Sequence, residues 1–159
     1  MAVPLLNSIA ASNQQQIVNA LEIILSQEKR RIGILGFAFK AGTDDLRESP
    51  LVSLAETLLG KGYDLRLYDS CVSLARLVGA NRRYINERIP HIAKLMVDSI
   101  EDLIRHAELI VIGNQSEVFF EALSGLSAEQ FVLDLTTRSK PVHTPAHYER
   151  LCGPAISKA

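Results

Sequence analysis

Four short, largely apolar runs, separated by segments with helical spacing, constrain the fold of this chain more than any other feature. They lie at residues 32–37, 65–69, 109–113 and 131–134. A short apolar run bounded by glycine or a polar residue is typical of a strand that is buried on both faces. Such strands belong to parallel sheets with helices on both sides, so the sequence predicts an α/β protein.

Helical patterns precede and separate these strands. Asn13 is the predicted N-cap of a helix at 13–28, and Ser49 with Pro50 is predicted to start a second helix. Further elements are predicted as helices at 98–106 and from 117, a marginal last helix at 146–151 and a short strand at 95–97. This order predicts a Rossmann-like, doubly wound and mainly parallel sheet with an N-terminal helix.

The composition narrows the classes of function. The 159 residues are 47% apolar, enough for one domain with a sizeable core. Because 17 Lys and Arg nearly cancel 18 Asp and Glu, neither nucleic acid nor an anionic membrane is an expected partner. No apolar run reaches the roughly 18 residues of a membrane span. Cys71 and Cys152 form no CxxC pair, which suits a reducing cytosol and predicts a cytoplasmic protein.

Ligands of doubly wound sheets bind beyond the carboxyl ends of the strands, where the strand order switches. The segments that directly follow the predicted strands are therefore the candidates for a binding site. They are residues 36–47, 69–71, 113–116 and 134–138.

The turn after the first strand lacks a dinucleotide-binding fingerprint. A GxGxxG motif lets the backbone approach a pyrophosphate at a helix N-terminus. Here only Gly36 falls in the turn, bulky Phe37 and Phe39 follow it, and a long loop precedes the next helix. Asp69 ends the second strand, where an acidic residue either holds a ribose or serves as a turn residue. Without the glycines we favour the turn.

Charged side chains crowd the loop at 40–48. Lys40 and Arg47 are suited to phosphates, Arg47 in a bidentate manner, and the carboxylates between them can orient these cations or cap the next helix. The alternative is a solvated loop whose charges pair with one another. Arg138 and Lys140 follow the last of the four runs at the same edge, and the same two interpretations apply to them.

No pattern in the sequence specifies a metal site or a self-contained catalytic apparatus. His143 and His147 are separated by Pro145 and lack a Glu or Cys partner, so no metal is expected. Cys71 has no positioned histidine and is expected to be a small buried residue. No Ser–His–Asp order or carboxylate pair is apparent.

The segment GFAFKAGTDDLRESP at 36–50 closely resembles the signature of the nucleotide-sugar 6-dehydrogenases, the family of UDP-glucose and GDP-mannose dehydrogenases. The similarity continues through 51–69, and residues 79–91 are similar to the GDP-mannose branch. Upstream, PLLNSIAASN at 4–13 resembles the end of the family's central linking helix. The resemblance covers nearly the whole chain.

The resemblance implies a domain and a reaction. Enzymes of this family have an N-terminal NAD-binding domain, a central dimerisation segment and a C-terminal nucleotide-sugar-binding domain. They oxidise a sugar C6 hydroxyl to a carboxylate in two NAD-dependent steps through a cysteine nucleophile. By this resemblance, 1–29 is the tail of the linking helix and 30–159 the C-terminal domain. The family's GxGxxG and Gly-Gly-x-Cys-x-Pro-Lys-Asp segments have no counterpart in the sequence, so neither Cys71 nor Cys152 inherits the catalytic role.

Candidate site residues follow from the same resemblance. Lys40 is similar to the lysine that contacts the nucleotide sugar, Phe39 to a residue lining the sugar site, and Arg47 to the arginine that reaches NAD. Arg138 is matched to a sugar-contacting arginine; the family often shows Asp-x-Arg, whereas this chain has Asp134-x-x-x-Arg138. No catalytic residue is assigned within the chain.

The leading interpretation is the nucleotide-sugar-binding domain of an NAD-dependent dehydrogenase of the GDP-mannose branch. We expect it to be inactive by itself, to form a homodimer through its first helix and to bind GDP-mannose or UDP-glucose. A UDP-glucose-type domain of the same family is the first alternative. The second is a stand-alone nucleotide-binding module that catalyses no reaction.

Overall fold

Five strands form one parallel sheet. They are β1 (Arg31–Leu35), β2 (Asp64–Tyr68), β3 (Leu109–Ile112), β4 (Phe131–Asp134) and β5 (His147–Arg150). This computed structural model describes residues 4–38, 46, 49–72, 83, 87 and 90–151, with side chains from residue 12 onward except at 92–93. The predicted site residues Phe39, Lys40 and Arg47 lie outside the described residues, as does Cys152.

The order of the strands across the sheet is β2-β1-β3-β4-β5. Because β1 pairs with β2 on one side and with β3 on the other, Ile34 lies between Leu67 and Val111 in register. The chain therefore reverses its direction of winding at β1, and the switch point lies between β1 and β3. The predicted doubly wound parallel sheet is confirmed, and each of the four predicted strands is present within two residues of its expected bounds.

Helices cover both faces of this sheet. In the described part of the chain they are α1 (Pro4–Ser26), α2 (Pro50–Gly60), α3 (Ile92–Leu95), α4 (Ile100–His106) and α5 (Glu117–Ala122), which continues into a 3-10 turn at Leu123–Gly125. Ser99 caps α4, because its hydroxyl accepts a hydrogen bond from the Asp102 backbone N–H at 3.1 Å.

Two apolar clusters hold the three layers together. On one face, α1 and α2 bury side chains such as Ile24 and Leu54 against Ile34 and Val111 of the sheet. On the other face, α4 and α5 pack on the alternate strand positions. Those positions are Leu35, Ile110, Ile112 and Val132. Every residue of β3 and β4 is buried, which explains why their sequences are continuous apolar runs.

Gly33 allows α4 to approach the sheet closely. A Cβ atom at this position would lie 2.3 Å from Cδ2 of Leu103 and 3.0 Å from Cβ of Ala107. The glycine in the middle of β1 is thus required by helix packing rather than by backbone conformation, since its φ angle is not positive.

The first helix begins earlier than predicted. Asn13 lies inside α1 instead of capping it, because the helix extends back to Pro4 and ends at Ser26. The stretch before Asn13 contains alanines and begins with proline, which are favourable at helix interiors and at the first helical position, respectively. The predicted start was therefore wrong by about two turns.

The last predicted helix is a strand. Residues 146–151 were expected to be helical, but β5 pairs in parallel with β4 across His147–Arg150. The His147 ring stacks on Phe131 with centroids 5.0 Å apart, and the Tyr148 hydroxyl donates to the carboxylate of Asp134. These contacts override a weak local helical preference, as tertiary contacts commonly do in short segments.

The short strand predicted at 95–97 is reduced to a single parallel bridge between Met96 and Leu67. The Val97 N–H donates to the Leu67 carbonyl at 2.9 Å, whereas Leu95 already ends α3. The segment therefore flanks the outer edge of β2 without extending the sheet by a full strand.

Substitution of Gly33 tests the packing of α4 on β1. We expect Gly33→Ala to lower the free energy of unfolding by about 1–3 kcal/mol, because Leu103 must move to admit the methyl group. Gly60→Ala is the matched control: nothing lies within 4 Å of its added Cβ, and alanine stabilises a helical position relative to glycine by about 0.5–1 kcal/mol. Urea denaturation measures the free energy of unfolding of both variants. Equal midpoints would contradict the close packing of α4 against Gly33.

Candidate functional site

Two glycines let the loops after β1 and β3 meet at the carboxyl edge of the sheet. Gly36 has a φ of +82°, and a Cβ there would lie 2.6 Å from the side-chain amide of Asn114. A Cβ at Gly113 would lie 2.3 Å from the Gly36 carbonyl oxygen and 2.2 Å from Cδ1 of Leu51. A side chain at either position would displace these neighbouring atoms, so the two glycines allow the loops to pack directly against each other at the switch point.

Asp69 organises the loop that leaves β1. Its buried carboxylate accepts hydrogen bonds from the backbone N–H groups of Phe37 and Ala38, at 2.9 and 3.1 Å on Oδ2. The other oxygen, Oδ1, accepts from the N–H of Cys71 at 2.9 Å. Since backbone groups occupy both oxygens, the turn role favoured for Asp69 is the one that the structure has, and the ribose-binding role is not.

Two further side chains fix the same segment. Ser49 donates from its hydroxyl to the Phe37 carbonyl at 3.0 Å, and Asn114 donates from Nδ2 to the Ala38 carbonyl at 3.3 Å. Ser49 precedes α2 as predicted, but its buried hydroxyl bonds to this loop and makes no side-chain capping bond. Phe37 and Ala38 are thus held at the carboxyl edge immediately before Phe39.

These described residues do not form a dinucleotide cradle. The turn after β1 contains one glycine, and Asn114 fills the space beside Gly36 that a pyrophosphate-binding turn leaves open. Asp69, at the position that often holds a ribose, has both carboxylate oxygens engaged by backbone N–H groups. NAD therefore does not fit the described part of this edge as a Rossmann cofactor.

Arg138 lies on the opposite side of the switch point, in the loop after β4. Its guanidinium lies over the ring of Phe120, with Cζ 4.1 Å from the centroid, and its side chain is only 10% exposed. Nη2 pairs with Oε2 of Glu117 at 2.9 Å, whereas the buried Nε has no hydrogen-bond partner. The Arg138 side chain is therefore held in position by Phe120 and Glu117, and it is not a solvated loop cation.

Glu117 bridges two cations at this position. Its second oxygen, Oε1, accepts from the Lys140 ammonium at 2.7 Å. The hydrogen bond from Arg138, followed by that from Lys140, lowers the pKa of the Glu117 carboxyl to about 2. The carboxylate thus stays ionised throughout the physiological range.

A buried polar network supports the loop that carries Arg138. Asp134 is fully buried, accepts from the Tyr148 hydroxyl and the Thr136 N–H, and lies 3.6 Å from Nε of Arg150. The Thr136 hydroxyl in turn accepts from the Arg138 N–H at 3.3 Å. Asp134 therefore connects β5 to the backbone of the loop.

The loops after β3 and β4 are also joined directly. Gln115 donates from Nε2 to the hydroxyl of Thr137 at 3.1 Å. The four predicted loop segments consequently meet at one edge: Asp69 and Asn114 bind the loop after β1, and Gln115 binds the loop after β4. The arrangement offers a rigid rim with two deeply set arginines, Arg138 and Arg150, of which Arg150 faces the Asp134 carboxylate. Arg138 is therefore the one suited to holding an anionic ligand.

Residues 33–140 match the UDP-glucose/GDP-mannose dehydrogenase family, UDP binding domain. This chain belongs to that family. It is 47% identical over 150 residues to the GDP-mannose 6-dehydrogenase of Pseudomonas putida and 42% identical over 149 residues to that of Pseudomonas aeruginosa. Each alignment covers 94% of this chain and 34% of the relative, so the chain spans about a third of the length of these dehydrogenases.

A solved structure of the dehydrogenase family has the same fold. The crystal structure of a ternary complex of GDP-mannose dehydrogenase from Pseudomonas aeruginosa superposes with a TM-score of 0.81 at 42% identity. The superposition covers 94% of this chain and 34% of that chain. The family resemblance predicted from the segment at 36–50 is therefore confirmed.

The family signature itself falls largely outside the described residues. Phe39, Lys40 and Arg47 stay predictions, and Arg138 is the predicted site residue that the structure describes. Asn114, Glu117 and Tyr148 contribute side chains to this edge that were not among the predicted site residues. Asn114 fell within a flagged segment, but no local signal distinguished its side chain from its neighbours, and Tyr148 was assigned to a helix.

Other parts of the described chain offer fewer groups that could form a binding site. Cys71 carries a free, half-buried thiol, more exposed than predicted, and no group of three His, Cys, Asp or Glu residues there can hold a metal ion. A cleft of about 440 Å³ lies at the opposite, amino edge of the sheet beside Lys29, Glu108 and Gln130. None of the helices described has the length and apolar character needed to cross a bilayer.

Substitution of Asp69 tests whether its carboxylate fixes the loop after β1. We expect Asp69→Asn to lower the free energy of unfolding by about 1–3 kcal/mol, because an amide has one accepting oxygen for the three N–H donors and lacks the negative charge that binds Phe37 and Ala38. Asp98→Asn is the control, since Asp98 is exposed and without a bonded side chain in the described chain. Hydrogen exchange at the two loop amides should accelerate in D69N alone; unchanged exchange would contradict the prediction.

The Tyr148–Asp134 hydrogen bond should make stability fall at high pH. Burial, and then the bond to Asp134, raises the pKa of Tyr148 to about 12 from its usual 10. Because the pKa of Tyr148 is raised in the folded state, the stabilisation of the fold by its protonated hydroxyl is complete below pH 10. This stabilisation is lost as the pH rises toward 12.

Tyr148→Phe should cost about 1–2 kcal/mol below pH 10, and the difference from the wild type should shrink at higher pH. Tyr63→Phe serves as the control because the Tyr63 ring is also buried but its hydroxyl has no hydrogen bond in the described part of the chain. Urea titrations across this pH range measure both variants. A Y148F difference that does not vary with pH would refute the assignment.

Proposed function

We propose that this chain is the nucleotide-sugar-binding domain of an NAD-dependent GDP-mannose 6-dehydrogenase. The observation that carries the proposal is the match of residues 33–140 to the UDP binding domain of the family, combined with 40–47% identity to GDP-mannose 6-dehydrogenases. The carboxyl edge supports it, because ligands of doubly wound sheets bind at the switch point.

The proposed reaction is a four-electron oxidation at C6 of the sugar. One alcohol, two NAD⁺ and one water yield one carboxylate, two NADH and three protons, by way of an aldehyde held on a cysteine of the enzyme. This chain would supply binding and orientation: Phe39 and Lys40 contact the sugar, Arg138 contacts the nucleotide sugar, and Arg47 reaches the cofactor. NAD itself would be bound mainly by another domain, since the edge described above has no cradle for it.

Without that cofactor domain, the isolated chain is expected to be inactive. Residues 1–29 are proposed to be the tail of the linking helix, and a homodimer is proposed to form through α1. Val18 and Leu25 of α1 remain exposed, which supports an apolar contact with a second chain. A cytoplasmic location is proposed as well, in keeping with the free thiol of Cys71.

A chimeric enzyme tests the proposal. Residues 30–151 of this chain would replace the matching segment of the Pseudomonas aeruginosa enzyme, and NADH formation would be followed with GDP-mannose and with UDP-glucose. We expect turnover with GDP-mannose, and none from the isolated chain. Turnover with UDP-glucose alone would favour the UDP-glucose-type alternative. No turnover from a folded chimera would favour a non-catalytic module.

Arg138 should matter for binding in that chimera. Arg138→Gln is expected to lower kcat/KM for GDP-mannose at least tenfold, because a buried, bidentate-capable guanidinium is lost. Arg105→Gln is the matched control: it removes an exposed arginine that pairs with Asp102 on α4. Equal effects of the two substitutions would argue against a ligand contact at Arg138.

A further inference from the structure

One edge of the Arg138 guanidinium has two hydrogen-bond donors, and only one of them has an acceptor. Nε and Nη2 point along the same edge of the planar group and together form the fork that binds an oxyanion with two parallel hydrogen bonds. Glu117 engages Nη2 alone, while the buried Nε has no partner. Nε of Arg150 also lacks a hydrogen bond, but it lies 3.6 Å from the Asp134 carboxylate. Orphaned buried donors are rare in folded proteins, so the Nε of Arg138 requires an explanation.

The geometry of Glu117 accounts for the missing bond. Its two oxygens are divided between Arg138, at 2.9 Å, and Lys140, at 2.7 Å. The Arg138 side chain is 10% exposed whereas that of Glu117 is 53% exposed, so the carboxylate lies on the solvent side of the guanidinium. An outside anion therefore reaches the Arg138 fork only when Glu117 leaves it.

We propose that Arg138 and Lys140 form a diphosphate-binding site and that Glu117 is an internal competitor that occupies this site until the ligand displaces it. The proposal deepens the proposed function and rests on it for the identity of the ligand, the diphosphate of a nucleotide sugar. Glu117 would then set the affinity of the site without contacting the ligand.

A diphosphate suits the site better than the carboxylate does. It presents several oxygens where Glu117 has two, so it can fill both positions of the Arg138 fork and still reach Lys140. Lys140 is 68% exposed and can follow the ligand, whereas Arg138 is fixed over Phe120. The site thus combines one rigid and one mobile cation.

Calorimetric titration of the full 159-residue chain with pyrophosphate tests the competitor directly. We expect Glu117→Gln to bind pyrophosphate about three- to tenfold more tightly than the wild type, because the rival charge is gone and the side-chain volume is kept. Glu121→Gln is the matched control. It removes an exposed charge one turn later on the same helix, and Glu121 forms no ion pair with the described residues. We expect this substitution to change the affinity for pyrophosphate less than twofold. Lys140→Gln in the E117Q background should reverse the gain.

Equal or weaker pyrophosphate binding by E117Q would overturn the proposal, since Glu117 would then only position Arg138. Circular dichroism of each variant verifies that it is folded.

A parallel titration with GDP-mannose separates this inference from the proposed function. A gain for pyrophosphate without any GDP-mannose binding would uphold the anion site and count against the proposed function. GDP-mannose binding that is equal in wild type and E117Q would uphold the function and overturn the role of Glu117.

Discussion

Two buried aspartates hold the carboxyl edge on which the rest of the site depends. Asp69 ends β2 and Asp134 ends β4, and each accepts a hydrogen bond from the backbone N–H two residues later. Asp69 additionally binds the loop after β1, and Asp134 binds Tyr148 of the edge strand. Because a buried carboxylate is stable only when its oxygens are well satisfied, each aspartate fixes the loop that surrounds it.

These two anchors lie on either side of the switch point and divide the edge into two halves. In the described part of the half at β1 there is no room for a dinucleotide, since Asn114 packs against Gly36 and backbone N–H groups engage both oxygens of Asp69. The half at β4 presents Arg138, a guanidinium with an unfilled hydrogen-bonding position. The described part of the fold thus keeps the carboxyl edge of a doubly wound sheet, where ligands of such sheets bind, without the dinucleotide cradle of a Rossmann domain.

The sequence predicted those features that depend on hydrophobic periodicity, because burial dictates them locally. Strands β1 to β4 and the start of α2 at Pro50 follow from apolar runs and capping residues. β5 was missed because its stability comes from partners distant in sequence, Phe131 and Asp134. Arg138 was a candidate both by its position after the last apolar run and by family resemblance. Its pairing with Glu117 had no sequence signal, since the two residues meet only when α5 and the loop after β4 are packed together.

Binding of the nucleotide sugar at the carboxyl edge can be mapped by amide NMR shifts during a GDP-mannose titration of the chain. We expect the largest changes at Phe37, Ala38, Gln115 and Arg138, whose loops line this edge. Shifts confined to the amino-edge cleft, at Ser127 and Gln130, would contradict it.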